Sequence, residues 1–291
     1  MGSTSPPAWS DVPHGRRVEL PGRGTTFVRE VAGPPGAPTV VLLHGLLATA
    51  ALNWSGCYAP LGAHFRVLAP DHRGHGRGLR TRARFRLADC ADDVVALADA
   101  LGVSTFVAVG YSMGGPIAQL LWHRHPDRIQ GLVLCATGRD FRGHPRQRVA
   151  FDALGVAGVA ARLTPPLVWR VGERFAAPRA GGSERARWQW SEFRRNDPVK
   201  MIEAAQTLGR FTSRDWIGRV DVPATVVVTG HDRLVPPERQ RKLAAAIPGA
   251  TVREIDGDHA VVVWEPHRFA PVLLDACLDV TRRVPTTVST C

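Results

Sequence analysis

Lysine is nearly missing from this chain of 291 residues. Lys200 and Lys242 are the only two, and arginine supplies the rest of the 37 basic side chains. Set against 26 acidic residues, they leave a formal charge of +11. Such an excess has two readings. One is attraction to anionic partners such as nucleic acid, phospholipid or coenzyme A esters. The other is an ordinary solvated surface on which arginine stands in for lysine. The second is preferred, because no nucleic-acid-binding motif is present and aromatic residues make up only 7%. What survives of the first is a weak attraction to anionic surfaces.

Long apolar runs are lacking as well. None approaches the ~20 residues that a membrane-spanning helix needs, and the longest, from Ala153 to Ala161, is bounded by Asp152 and Arg162. Met1 to Pro13 is polar and proline-rich, without the basic start and apolar core of a signal peptide. The five cysteines, at 57, 90, 135, 277 and 291, are odd in number, scattered and free of any CxxC pair. That argues against a disulfide framework or a zinc site and suits a reducing cytoplasm. Cys291 stands last, so it forms no prenylation box. The expectation is a soluble, cytoplasmic protein, with an ordinary globular share of hydrophobic (44%) and charged (22%) residues.

The most informative stretch is Thr105 to Gly115. Thr105 to Val109 reads as a strand buried on both faces. It breaks at Gly110, and a helical pattern with Pro116 in its first turn follows through Ile117, Leu120 and Leu121. Strand, sharp turn and helix with Ser112 at the apex is the G-x-S-x-G nucleophile elbow. Gly110 and Gly114 fit because a strained turn leaves no room for side chains there.

Around it the chain alternates. Arg17–Leu20 and Thr25–Val31 predict a hairpin, and Thr39–Leu43, Phe65–Ala69, Gly131–Ala136, Ala224–Thr229 and Thr251–Ile255 predict further strands. Helices are predicted over Leu87–Leu101, Pro237–Ala246 and His267–Val280. Apolar strands alternating with helices make an α/β fold with a doubly wound, mostly parallel sheet. The alternation breaks between Gly138 and Val222, which is rich in arginine and tryptophan and reads as helices, one of them near Phe151 to Val159. A structureless loop that long is improbable, so residues 138–222 are predicted to be an inserted helical cap that shapes the ligand pocket. Residues 16–137 and 223–284 then form the core, with flexible tails at 1–15 and 285–291.

A serine needs a base to become a nucleophile, and the base needs an acid to orient it. Asp232 falls three residues past the strand ending at Thr229, and His259 lies in the loop after Ile255. The order Ser112, Asp232, His259 is that of one serine hydrolase class and not of the others. The base and the acid each have a rival, His267 for His259 and Asp140 for Asp232, and His231 reads as a loop histidine beside the acid. His72 and His75, three apart, have no companion beyond Asp71, so no metal is expected.

Through LLHGLL (42–47), APDHRGHG (69–76), VGYSMGG (109–115), TGHDRLVPP (229–237) and GDHAVVVWEPHRF (257–269), the chain from about Arg17 to Val284 resembles the α/β-hydrolase superfamily, among bacterial esterases, cofactor-free haloperoxidase-like perhydrolases and C–C bond hydrolases. The resemblance implies that the backbone N–H groups of Leu46 and Met113 form an oxyanion hole, on a loop shaped by His44 and Gly45. It implies hydrolysis of a small-molecule carboxylic ester through an acyl-enzyme, with no cofactor. Perhydrolysis or C–C cleavage on the same three residues is the alternative, and a non-catalytic ligand receptor a weaker one. Relatives often carry serine where Gly78 stands, which suggests a repacked loop. The stretch from Arg73 to Arg86 holds arginines at 73, 77, 80, 82, 84 and 86 with no acidic residue between Asp71 and Asp89. Its charge therefore reads as locally uncompensated, on a loop that flanks the pocket mouth.

Overall fold

In the central strands, consecutive residues point to opposite sides of a sheet and both sides are dry. Val41 and Leu43 pack into one hydrophobic cluster, Val40 and Leu42 into another. The same division separates Leu132 and Leu134 from Val133 and Cys135, and Val226 and Val228 from Val227. Period-two alternation with apolar residues on both faces is what an α/β sheet covered by two helical layers requires.

The computed structural model describes residues 12–141 and 183–285. Eight strands form one sheet: β1 (Gly15–Leu20), β2 (Gly24–Val31), β3 (Thr39–Leu43), β4 (Arg66–Pro70), β5 (Phe106–Tyr111), β6 (Ile129–Cys135), β7 (Ala224–Thr229) and β8 (Thr251–Ile255). Their order is β1-β2-β4-β3-β5-β6-β7-β8. The β1–β2 and β2–β4 pairs are antiparallel, and all others are parallel. One face is covered by α3 (Leu87–Ala100), α4 (Gly114–Arg124) and α7 (Pro237–Ala244) through Val94, Leu97, Ile117, Leu121 and Leu243. The other is covered by α1 (Ala50–Trp54), α2 (Tyr58–Gly62) and α9 (Pro266–Arg283) through Trp54, Leu61, Phe269 and Leu273. A four-residue helix, α8 (Val261–Trp264), precedes α9. None of the described helices is long and apolar enough to cross a membrane.

The described part of the insertion contains α5 (Glu184–Phe193), capped by Ser183, and α6 (Pro198–Arg210), capped by Asp197. Both helix starts follow the usual rule, a short polar side chain accepting from the first free amides. They dock on the loop after β4: Lys200 Nζ donates to Ala83 O at 2.6 Å, and the Phe85 amide donates to Glu203 at 2.9 Å. A single antiparallel bridge joins Asp140 to Thr212 where the insertion leaves and rejoins the core. The helix expected near Phe151 to Val159 lies outside the described residues.

The N-terminal tail expected over 1–15 is too long at its end. Gly15 is already in β1, tightly against the Phe27 ring, and the Pro13 carbonyl accepts from Arg29 Nη1. The backbone pairing of β1 with β2 reaches Gly15↔Arg29, further than the hydrophobic pattern that begins at Val18.

Candidate active site

β5 ends at Tyr111 and α4 begins at Gly114, so the turn between them has two residues, Ser112 and Met113. Ser112 has φ +51°, the left-handed region that costs a non-glycine residue about 1–2 kcal/mol. Three hydrogen bonds hold it there. Its N–H donates to Cys135 O at 3.0 Å, and its carbonyl accepts from the Gly115 amide at 3.0 Å and the Thr137 hydroxyl at 2.8 Å. The flanking glycines are required by contact. A Cβ on Gly110 would collide with the Gly114 backbone, and one on Gly114 with Leu43 O. Ser112 is thereby raised above the C-terminal end of β5, at the N-terminus of an eleven-residue helix.

The structure brings the three sequence-selected side chains together. His259 Nε2 lies 2.9 Å from Ser112 Oγ, and His259 Nδ1 lies 2.6 Å from Asp232 Oδ2. The Asp232 side chain is fully buried and heavily solvated by protein. Its Oδ1 accepts the Leu234 and Val235 amides, both at 2.8 Å, and its Oδ2 accepts the Thr229 hydroxyl at 2.9 Å and Gln240 Nε2 at 3.3 Å. Such a carboxylate is fixed in place, and it orients the imidazole with Nδ1 protonated and Nε2 facing the serine. An imidazole in that position can take the proton of the hydroxyl. Tyr111 fixes the far side, its hydroxyl donating to His259 O at 2.8 Å.

The rivals and His231 are placed elsewhere. His267 is exposed in the first turn of α9, and exposed His231 pairs with Asp256 at 2.6 Å. Asp140 is bound to Arg214 Nε at 2.9 Å.

The turn after β3 closes the other side. A Cβ on Gly45 would stand 3.3 Å from Ser112 Cβ, so the glycine lets this turn approach the elbow. The Gly45 amide donates to Asn53 Oδ1 at 3.1 Å, and Leu47 is held at φ +65°. Among the described residues no acceptor is recorded for the Leu46 and Met113 amides. His44 is fully buried. Its Nε2 accepts the His72 amide at 3.0 Å, which leaves Nδ1 to donate to Gly45 O at 2.8 Å. His72 and His75 pack against the His44 ring, at centroid distances of 4.2 and 5.2 Å. Burial pushes all three imidazoles below their ordinary pKa, His72 and His75 furthest.

Several side chains in this network carried no sequence signal. Asn196 donates to Leu47 O at 3.1 Å and accepts the Gly76 amide at 2.9 Å, joining the insertion to two loops of the core. Glu192 accepts the Thr49 hydroxyl at 3.0 Å. Gln240, Thr137 and Asn53 likewise act on residues that are remote in the chain or indistinct in pattern. Gly78, by contrast, is explained by the structure: a Cβ would collide with the Asp71 and His72 carbonyls.

Two of the six arginines in the stretch, Arg73 and Arg77, are compensated by acids outside it, which corrects the reading of its charge as uncompensated at those two positions. Arg73 is buried between Asp89 and Asp93, at 2.9 and 2.7 Å, and Arg77 reaches Glu192 at 3.4 Å. One set of partners comes from α3 and the other from the insertion, which the absence of acids inside the stretch does not foretell.

Residues 38–266 match the family model for the α/β hydrolase fold, and the chain belongs to that family. It is 31% identical over 255 residues to a protein of Caulobacter sp. (strain K31) named "Putative carbamate hydrolase RutD", covering 84% of this chain and 93% of the relative. Among solved structures, a hydrolase from Pseudomonas aeruginosa PA01 superposes with TM-score 0.74 at 22% identity, over 90% of this chain and 97% of the other. The enol-lactonase from Burkholderia xenovorans LB400 superposes with TM-score 0.67 at 26% identity, over 86% and 96%.

Proposed function

We propose that this α/β hydrolase cleaves a carboxylic ester of a small or medium apolar substrate through an acyl-enzyme on Ser112. The observation that carries the reading is the hydrogen-bonded line Ser112 Oγ, His259 Nε2, His259 Nδ1, Asp232 Oδ2, with separations of 2.9 and 2.6 Å. His259 takes the hydroxyl proton as Ser112 Oγ attacks the ester carbonyl, and Asp232 steadies the imidazolium that forms. The carbonyl oxygen becomes an anion held by the Leu46 and Met113 amides, each such donor being worth about 10²–10³ in turnover. His259 then protonates the departing alcohol. Water repeats the sequence, with His259 as its base, and frees the acid and Ser112.

Two exposed apolar residues adjoin the site: Leu47 follows Leu46 in the turn after β3, and the Leu234 amide donates to Asp232 Oδ1. They favour an apolar acyl or alcohol group. The lactonase likeness supports ester chemistry, a lactone being a cyclic ester. The relative named for carbamate hydrolysis favours a second reading, since a carbamate carbonyl admits the same attack with a nitrogen substituent beside it.

A panel of p-nitrophenyl esters of rising acyl length, an aliphatic lactone and an N-substituted carbamate separates the two. The ester reading expects kcat/KM for the best ester or lactone to exceed that for the carbamate. A carbamate preference would replace it with the second reading.

A further inference from the structure

Four arginines line one groove where β1, the loop after β4 and the insertion meet. Arg17, Arg77, Arg80 and Arg195, with Thr25, Gly76 and Gly78, line an open groove of about 520 Å³ that has no carboxylate among its described lining residues. Among the described residues one carboxylate touches this set at close range: Glu192 Oε1 is shared by Arg195 at 3.1 Å and Arg77 at 3.4 Å. Arg80 is anchored by carbonyls alone, with Nη2 donating to Gly76 O at 2.5 Å and to Arg195 O at 2.7 Å. Arg17 has no ion pair among the described residues. Burial and the charge of Arg17 depress the Arg80 pKa, against the opposing pull of Asp197 and Asp71.

Four positive charges that share one carboxylate repel one another, and a bound anion relieves the repulsion. Guanidinium is also the side chain best matched to that task, since its planar fork donates two parallel hydrogen bonds to a phosphate or carboxylate. The two carbonyls that hold Arg80 fix its side chain toward this groove, so little ordering remains to be done when a ligand arrives. The groove's walls come from β1 on one side and the insertion on the other, and it is open to solvent between them. Its volume lies within the range of small-ligand sites.

We propose that the groove bounded by Arg17, Arg77, Arg80 and Arg195 binds a small molecule bearing a diphosphate or comparable multivalent oxyanion. The site is separate from the Ser112 centre and independent of the reaction assigned there.

Isothermal titration of the full chain with inorganic pyrophosphate tests it. The expectation is saturable binding near one equivalent that weakens as potassium chloride is added. Arg17→Gln and Arg195→Gln should each weaken it about tenfold or more, the loss expected for a hydrogen bond to a charged group. Arg241→Gln, which alters an arginine paired with Glu254 outside the groove, should leave the affinity unchanged. Arg17 is exposed and makes no ion pair among the described residues, so its variant folds even if Arg195→Gln does not; thermal melting checks this. Absence of saturable pyrophosphate binding would overturn the proposal. So would equal affinity in Arg17→Gln, or binding to phosphatidylserine vesicles with none to pyrophosphate.

Discussion

Asp232 meets His259 with one carboxylate oxygen, 2.6 Å from Nδ1, and holds two backbone amides with the other. The acid is thus anchored by its own loop before it acts on the base. Asp232→Asn keeps the size but can offer Nδ1 a donor, which favours the wrong imidazole tautomer. Turnover of the preferred ester should fall on the order of 10⁴. Asp140→Asn, which loosens only the Arg214 pair, should stay within a few-fold of the parent. Steady-state kinetics of both variants decide the matter.

The Asn196 side chain hydrogen-bonds both the turn carrying Leu46 and Leu47 and the loop at Gly76. Asn196→Ala removes both bonds and should lower stability by about 1–3 kcal/mol. On the proposed mechanism it should also lower kcat more than it raises KM, because there the turn presents an oxyanion donor, which matters most in the transition state. Asn196→Asp keeps the acceptor for Gly76 and loses the donor to Leu47, so it should restore stability better than kcat. Denaturant titrations set beside kinetics separate the two effects.

His75 offers a pH test. Burial holds His44, His72 and His75 neutral below their ordinary pKa, with His44, the Arg73 carbonyl and Arg80 acting on His75. Below about pH 6.5 the unfolded chain takes up protons that the folded one refuses. Stability is therefore full above that pH and is lost as pH falls, by about 1.4 kcal/mol per pH unit for each such histidine. His75→Phe, packed against Phe85, should flatten the pH dependence of unfolding between about pH 6.5 and 5.5 by one proton's share. An unchanged slope would mean that His75 already titrates in the folded protein.

Much of the fold was legible because the central strands are buried on both faces. β7 has the bounds that its apolar run predicts, the edge strand β8 has those that its flanking turns predict, and β5 and β6 differ by a residue or two. Ser112, Asp232 and His259 were legible because each sits just past a strand end, where an open sheet gathers its loops. Local reasoning failed where partners lie far apart in sequence. Nothing near Arg77 announces Glu192, 115 positions on, and nothing near Leu47 announces Asn196, 149 positions on. Gly78 looked like a departure in the loop, whereas two carbonyls pressed against its α-carbon leave glycine the only fit.

The central claim is that Ser112 is the covalent nucleophile. Intact-mass spectrometry after brief exposure to a fluorophosphonate measures this most directly, since the serine oxygen displaces fluoride and keeps the phosphonyl group. The wild-type protein should gain one adduct that maps to the peptide containing Ser112. Ser112→Ala, folded by its melting curve, should gain none and should lose on the order of 10⁶ in ester turnover. An adduct of equal yield in Ser112→Ala, or one mapped to another residue of the wild type, would contradict the account.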